Sequence, residues 1–228
     1  MASPPAIDVA VAASPAVFDI DGPTDLNIHL SLTLNHDRPI TLSRVYASLF
    51  DGKILHHPGL TFTNVETGQC VPRNRLDICY FASTRLSWTT RRSYVTLYPG
   101  KQHVIHTSFA PRRAGRRDGK HPAAWFVESL RFDGFKDGQT YHIGISEEAL
   151  VRNWFKGTFW EMLAWQTLGW APRTMCTNIR YKVVESSAFT IKRPEEEDIR
   201  LRDLLAVSRT HSQSKMVHEK SAGTAGCS

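Results

Sequence analysis

Between residues 26 and 42 the sequence LNIHLSLTLNHDRPITL places Leu26, Ile28, Leu30, Leu32 and Leu34 at every second position, with Asn27, His29, Ser31 and Thr33 between them. A period of two sends successive side chains to opposite faces, so the segment predicts a strand with one buried and one wet face. NHDRP supplies turn chemistry, because Asn and Asp bond their own backbone and Pro39 fixes φ, and ITL resumes extended structure. His29 is then expected to face solvent or a neighbouring strand.

The same alternation recurs along the chain. After a turn signal at Asp51-Gly52, LTFTNVETGQCV (60 to 71) sets Leu60, Phe62 and Val65 on one face before Thr67-Gly68 turns the chain. RLDICYFASTRLSW (75 to 88) begins as a strand and drifts into a connection. In SYVTLYPGKQHVIHTSF (93 to 109), Val95 and Leu97 alternate with Tyr94, Thr96 and Tyr98. Pro99-Gly100 suits the centre of a type II turn, and Ile105, Thr107 and Phe109 then alternate with Val104, His106 and Ser108. This reads as a hairpin corner, and the strand period puts His103 and His106 on opposite faces, where they cannot share a metal. RFDGFKDGQTYHIGIS (131 to 146) repeats the plan with Tyr141, Ile143 and Ile145, and SSAFTIKRP (186 to 194) predicts a last strand carrying Phe189 and Ile191.

Two regions depart from this period. In SEEALVRNWFKGTFWEMLAWQTLGWAP (146 to 172), Ser146 is placed to cap a helix and Glu147 and Glu148 to occupy its first turn. Leu150, Val151, Trp154 and Phe155 follow at helical spacing. Gly157 and Gly169 interrupt, so two short helices, or a helix and a loop, are expected. From PEEEDIRLRDLL onward, a helix over 195 to 206 gives way to a tail with the composition of disorder. Short strands with these turns point to a mainly β, antiparallel sandwich. The expected organisation is a flexible N-terminus over 1–15, a sandwich domain over 16–194 with the Trp-rich insertion at 146–172, and a C-terminal helix and tail over 195–228.

The 228 residues, 41% of them hydrophobic, suffice for a sizeable core. Every apolar run is broken well short of the roughly 18 residues a membrane-spanning helix needs. The start, MASPPAIDVAVAASPAVFDIDGP, lacks a basic residue before its apolar stretch and is punctuated by Pro4, Pro5 and Pro15, unlike a cleaved signal peptide. It reads as a frayed lead-in and a short strand near 16–20. The expected location is therefore cytoplasmic, with Cys70, Cys79, Cys176 and Cys227 as reduced thiols. Much of the net charge of +6 sits in PRRAGRRDGKHP (111 to 122), where Arg112, Arg113, Arg116, Arg117 and Lys120 oppose only Asp118. Such a Gly- and Pro-interrupted run is ordinarily a solvated loop. A nucleic-acid partner remains open, although little aromatic interleaving weighs against sequence-specific recognition.

No nucleophile elbow, phosphate loop, dinucleotide fingerprint or HExxH occurs, so no catalytic residue, cofactor or metal is assigned. Cys70, Cys79, His56 and His57 could form a metal set, but buried thiols and solvated imidazoles are the ordinary explanation. Four of the six tryptophans, Trp154, Trp160, Trp165 and Trp170, cluster in one segment. They could stack on a ligand, bind a partner or meet a membrane surface. The interleaved Leu150, Val151, Phe155, Phe159, Met162, Leu163 and Leu168 favour a plug for an open end of the sandwich. The candidate binding residues are these four tryptophans with Arg112, Arg113, Arg116 and Arg117.

In order, LNIHLSLTLNHDRPITL, YVTLYPGKQHVIHTSF, DGFKDGQTYHIGI and AFTIKRP give a motif sequence similar to that of a group of fungal intracellular, immunoglobulin-like proteins of unassigned function. It also resembles, more distantly, the propeptides of deuterolysin-type metallopeptidases and intracellular proteinase inhibitors. The likeness spans residues 26 to 194 and implies an immunoglobulin-like sandwich; it transfers no activity. The expected function is non-catalytic binding of an unknown protein partner. The alternatives are a peptidase inhibitor or prodomain-like module, and an enzyme with a pocket at the Trp-rich end using His121, His142 or Glu161 as acid or base.

Overall fold

The computed structural model describes residues 5–22, 24–50, 54–55, 59–72, 87–109, 134–170 and 177–193. Their elements run β1 (Ala6–Ser14), β2 (Val17–Asp19), β3 (Leu26–Asn35), β4 (Ile40–Ser43), β5 (Leu60–Asn64), β6 (Tyr94–Leu97), β7 (Gln102–Phe109), β8 (Thr140–Ile145), β9 (Leu150–Val151), β10 (Trp154–Lys156), helix α1 (Phe159–Thr167), β11 (Ile179–Glu185) and β12 (Ala188–Lys192). Met1–Lys192 form one compact unit. The helix and tail expected over 195–228 lie outside the described residues, as do the Asp51-Gly52 turn and most of the strand expected from residue 75.

The fold is mainly β. A five-stranded sheet has the order β7-β3-β1-β11-β9, a four-stranded sheet β2-β12-β8-β5, and a three-stranded sheet β10-β4-β6. The strict alternation of β3 explains its place inside the largest sheet. Leu26, Ile28, Leu30, Leu32 and Leu34 are all buried, while β1 and β7 pair with it antiparallel along its length. All three sheets feed one core. Ile7, Val9 and Val11 enter it from β1, Phe62 from β5, Tyr141 and Ile143 from β8, Phe189 and Ile191 from β12, and Leu42, Val95 and Trp154 from the three-stranded sheet.

One end of that core is aromatic. Phe109 lies 5.5 Å from Phe18 and 6.1 Å from Phe135, and Phe135 lies 4.9 Å from Tyr141, ring centre to ring centre. Tilted and edge-on contacts of this kind add to simple area burial. Tyr141 keeps its polar end satisfied, since its hydroxyl accepts from the Lys136 amide at 2.8 Å. Buried tyrosine therefore costs no unpaired oxygen here.

Four expectations are corrected. The stretch expected to be a flexible lead-in contains β1, paired on both sides, because Ile7, Val9 and Val11 alternate into the core. The sheets are not purely antiparallel: β1 runs parallel to β11 and β2 parallel to β12. Both result from one N-terminal run divided at Pro15, whose missing N–H suits a break in the ladder. Third, Pro99-Gly100 is a corner and not a hairpin. Gly100 has φ +67° and Lys101 N bonds Tyr98 O at 3.1 Å, but β6 pairs with β4 while β7 pairs with β3. The chain changes sheet at this turn. Finally, the helix expected from Ser146 is absent. Ser146 closes one turn, its carbonyl accepting from Ala149 N at 2.9 Å, before Leu150–Val151 and Trp154–Lys156 extend as strands.

Candidate functional site

The three-stranded sheet is covered on both faces. Ile40, Leu42, Val95, Leu97 and Trp154 point to the main core, while Tyr94 and Phe155 join Phe159 and Met162 in a second apolar cluster beneath α1. Threonines weld sheet to helix. Fully buried Thr41 places its hydroxyl 2.8 Å from that of Thr96 and donates to the Gly157 carbonyl at 2.9 Å; Thr96 Oγ1 in turn accepts from Phe159 N at 3.3 Å. A buried polar group with partners on every side fixes geometry as well as contributing energy.

The helix starts with a capping box. The Thr158 side chain accepts from Glu161 N at 3.2 Å, and Glu161 Oε2 accepts from Thr158 N at 2.6 Å. Gly157, at φ +108°, makes the bend into it, and a Cβ there would meet Glu161 Oε2 at 2.7 Å. These constraints divide the tryptophans. Trp154 is 2% exposed and donates from Nε1 to the Thr177 carbonyl at 2.7 Å. Trp160, Trp165 and Trp170 are 43%, 49% and 72% exposed. Of the four clustered tryptophans only Trp154 is buried; on α1 the buried face is taken by Phe159 and Met162, which leaves Trp160 and Trp165 outward.

A fourth exposed indole, missed in the sequence reading, joins them. Trp88 is 68% exposed and its ring centre lies 5.2 Å from that of Trp160. Hydroxyls fasten its turn: Ser87 N donates to Thr90 Oγ1 at 2.9 Å and Ser87 Oγ lies 2.8 Å from Thr89 Oγ1. The next residue but two, Arg91, sets its guanidinium 5.0 Å from the centre of the Trp160 ring. A cleft of 840 Å³ opens here, lined among the described residues by Arg44, Trp88, Thr89, Arg91, Arg92 and Tyr94. A smaller hollow of 190 Å³ shares Arg91 and Tyr94 and reaches Tyr98 and Trp160. Lys101 stands 5.2 Å over the Tyr98 ring. Cations over aromatic faces are attracted by the ring quadrupole. The sequence signal for this site was the alternation of Trp88, Arg91, Arg92 and Tyr94, basic and aromatic together.

The remaining candidates fall elsewhere. Arg112, Arg113, Arg116, Arg117, His121, His56, His57 and Cys79 lie outside the described residues. Cys70 is exposed, not buried, with its sulfur 3.8 Å from Thr63 Oγ1. His142 Nδ1 is 2.6 Å from Ser186 Oγ on the exposed side of β8, and the Glu161 carboxylate is occupied at the helix start. His29 and His106 face each other directly across β3 and β7, rings edge to face with centres 4.5 Å apart and Nδ1 atoms 2.5 Å apart. His103 is on the opposite face, its ring centre 5.6 Å from that of Phe50. Burial, and then the charge of Arg44, lower its pKa below 6.5. Among the described residues no three His, Cys, Asp or Glu side chains gather as a metal would need, and no helix is long and apolar enough to cross a membrane. No family model matches the chain, and no curated protein matches it.

Proposed function

We propose that the protein is a non-catalytic, cytoplasmic, immunoglobulin-like sandwich that serves as a protein-interaction module, with α1 and the turn at 87–92 as its docking surface. The observation that carries this reading is the exposure of Trp160, Trp165, Trp170 and Trp88 beside a framework that buries every described phenylalanine. Leaving four indoles in water forgoes burial worth about 1.5–3 kcal/mol for a large side chain. Tryptophan and arginine are also the residues that dominate interface energetics. Two of the three candidate acid–base groups have other partners: His142 bonds Ser186 and Glu161 caps α1.

The test compares intact protein with a Trp165→Ala/Trp170→Ala variant as bait in native lysate, after circular dichroism shows that both are folded. Retention of a partner by the intact protein and its loss from the folded variant is the expected result. Equal retention by both moves the docking surface elsewhere. Turnover of any substrate that depends on a specific side chain ends the non-catalytic reading.

A further inference from the structure

The chemistry of the cleft narrows what can dock. Arg44, Arg91 and Arg92 line it, all exposed, and among the described residues no carboxylate lines either hollow. Nor does any of the three form an ion pair among those residues. Arg91 rests on Trp160, an arrangement that covers one face of the guanidinium and leaves its in-plane N–H donors available. A carboxylate or phosphate satisfies such a fork with two parallel bonds.

Among the described residues the positive charge lies at one end of the surface. FWEMLAWQT contains no Lys or Arg, and its exposed row runs Trp160, Ala164, Leu168 with Trp165 beside it. Leu168, just past the helix, is 74% exposed. A single-stranded nucleic acid would want positive charge continued along its track. A membrane surface is met by a protruding apolar face, whereas these arginines line a hollow. An extended or helical peptide with acidic residues at one end and apolar anchors at the other matches both parts.

We infer that the groove receives an acidic segment of a partner protein, its carboxylates on Arg44, Arg91 and Arg92 and its apolar side chains on Trp88, Trp160 and Leu168; this rests on the docking function proposed above. The experiment selects random linear peptides displayed on phage against the immobilised intact protein, then measures fluorescein-labelled copies of the winners in solution. The expected winners combine Asp or Glu with Trp, Phe or Leu, weaken as KCl is raised, and lose about tenfold or more in affinity on Arg91→Ala or Arg92→Glu. Trp160→Ala could loosen α1, so Arg92→Glu, on an exposed side chain and checked by circular dichroism, is the decisive variant.

Neutral or basic winners that are lost in Trp165→Ala overturn the acidic ligand and leave the docking function standing. Failure of any peptide to enrich over bare support overturns both. Labelled oligothymidylate, or phosphatidylserine vesicles, binding with the same Arg92 dependence while no acidic peptide emerges would transfer the groove to nucleic acid or to membrane.

Discussion

Trp154 and Trp165 are the same amino acid eleven positions apart, and they do opposite things. The first fills the main core and bonds Thr177; the second is half exposed on α1. Trp154→Ala should cost about 3–5 kcal/mol, as large aromatic truncations do, and Trp165→Ala within about 0.5 kcal/mol, both read from urea unfolding. Comparable losses at the two positions would place Trp165 in a packed role and remove it from the docking surface. His103 supplies a second prediction at this scale. Its folded pKa lies below 6.5, so as pH falls through 6.5 the unfolded chain takes up a proton that the folded chain refuses. The unfolded state then binds more protons and stability drops. Melting temperature should decline on acidification below pH 6.5, and His103→Gln should flatten that decline; parallel profiles would mean another group is responsible. Composition had marked the tryptophan cluster, but not which indole is inside. That depends on whether a residue falls on a strand facing the core or on a helix lying over the sheet.

At the scale of elements, α1 depends on its start. Thr158→Ala removes the cap and should cost about 1 kcal/mol. Gly157→Ala should cost at least as much, because φ of +108° is strained for any side chain and its Cβ would crowd the Glu161 carboxylate. Differential scanning calorimetry of the two variants checks both, and a loss of less than a few tenths of a kcal/mol at Thr158 would show that packing alone holds the helix. The capping box was missed in the sequence although Thr158 and Glu161 have the S/T-x-x-E spacing. Ser146 with Glu147 and Glu148 offered a competing signal, and only tertiary pairing separates the two. Leu150–Val151 is claimed by β11 and Trp154–Lys156 by β4. The long strands needed no such arbitration. In β3 and β12 the period-two rows found in the sequence are the rows that are buried; in β8 Tyr141 and Ile143 are buried and Ile145 partly so, and in β5 Leu60 and Phe62 are buried while Val65, expected on their face, lies past the strand and is 56% exposed.

For the whole molecule, β1 matters more than its modest composition suggests. Ala, Val and Ile alternate there with Asp8 and further alanines, between prolines at both ends, and a local reading sees a frayed lead-in. What makes it a strand is non-local, since β3 holds one side and β11 the other. Deleting residues 5–14 removes two ladders and three core residues, and the shortened chain should lose its cooperative thermal transition. A retained sharp transition would show β1 to be an accessory strand. The parallel pairings were illegible for the same reason, because nothing near Ile7 specifies Tyr181 as its neighbour.

That pairing also sets an order of events during synthesis. The ribosome releases β1 and β3 well before β11, and they can meet as soon as Asn35 has emerged, but the other side of β1 waits until Ile179 to Glu185 have been made. Until then the nascent chain carries a strand with one unsatisfied edge, able to pair with whatever extended chain comes first. Contacts this distant in sequence also slow closure once the chain is complete. Messages cut short before β11 should accordingly yield aggregates rather than smaller folded domains.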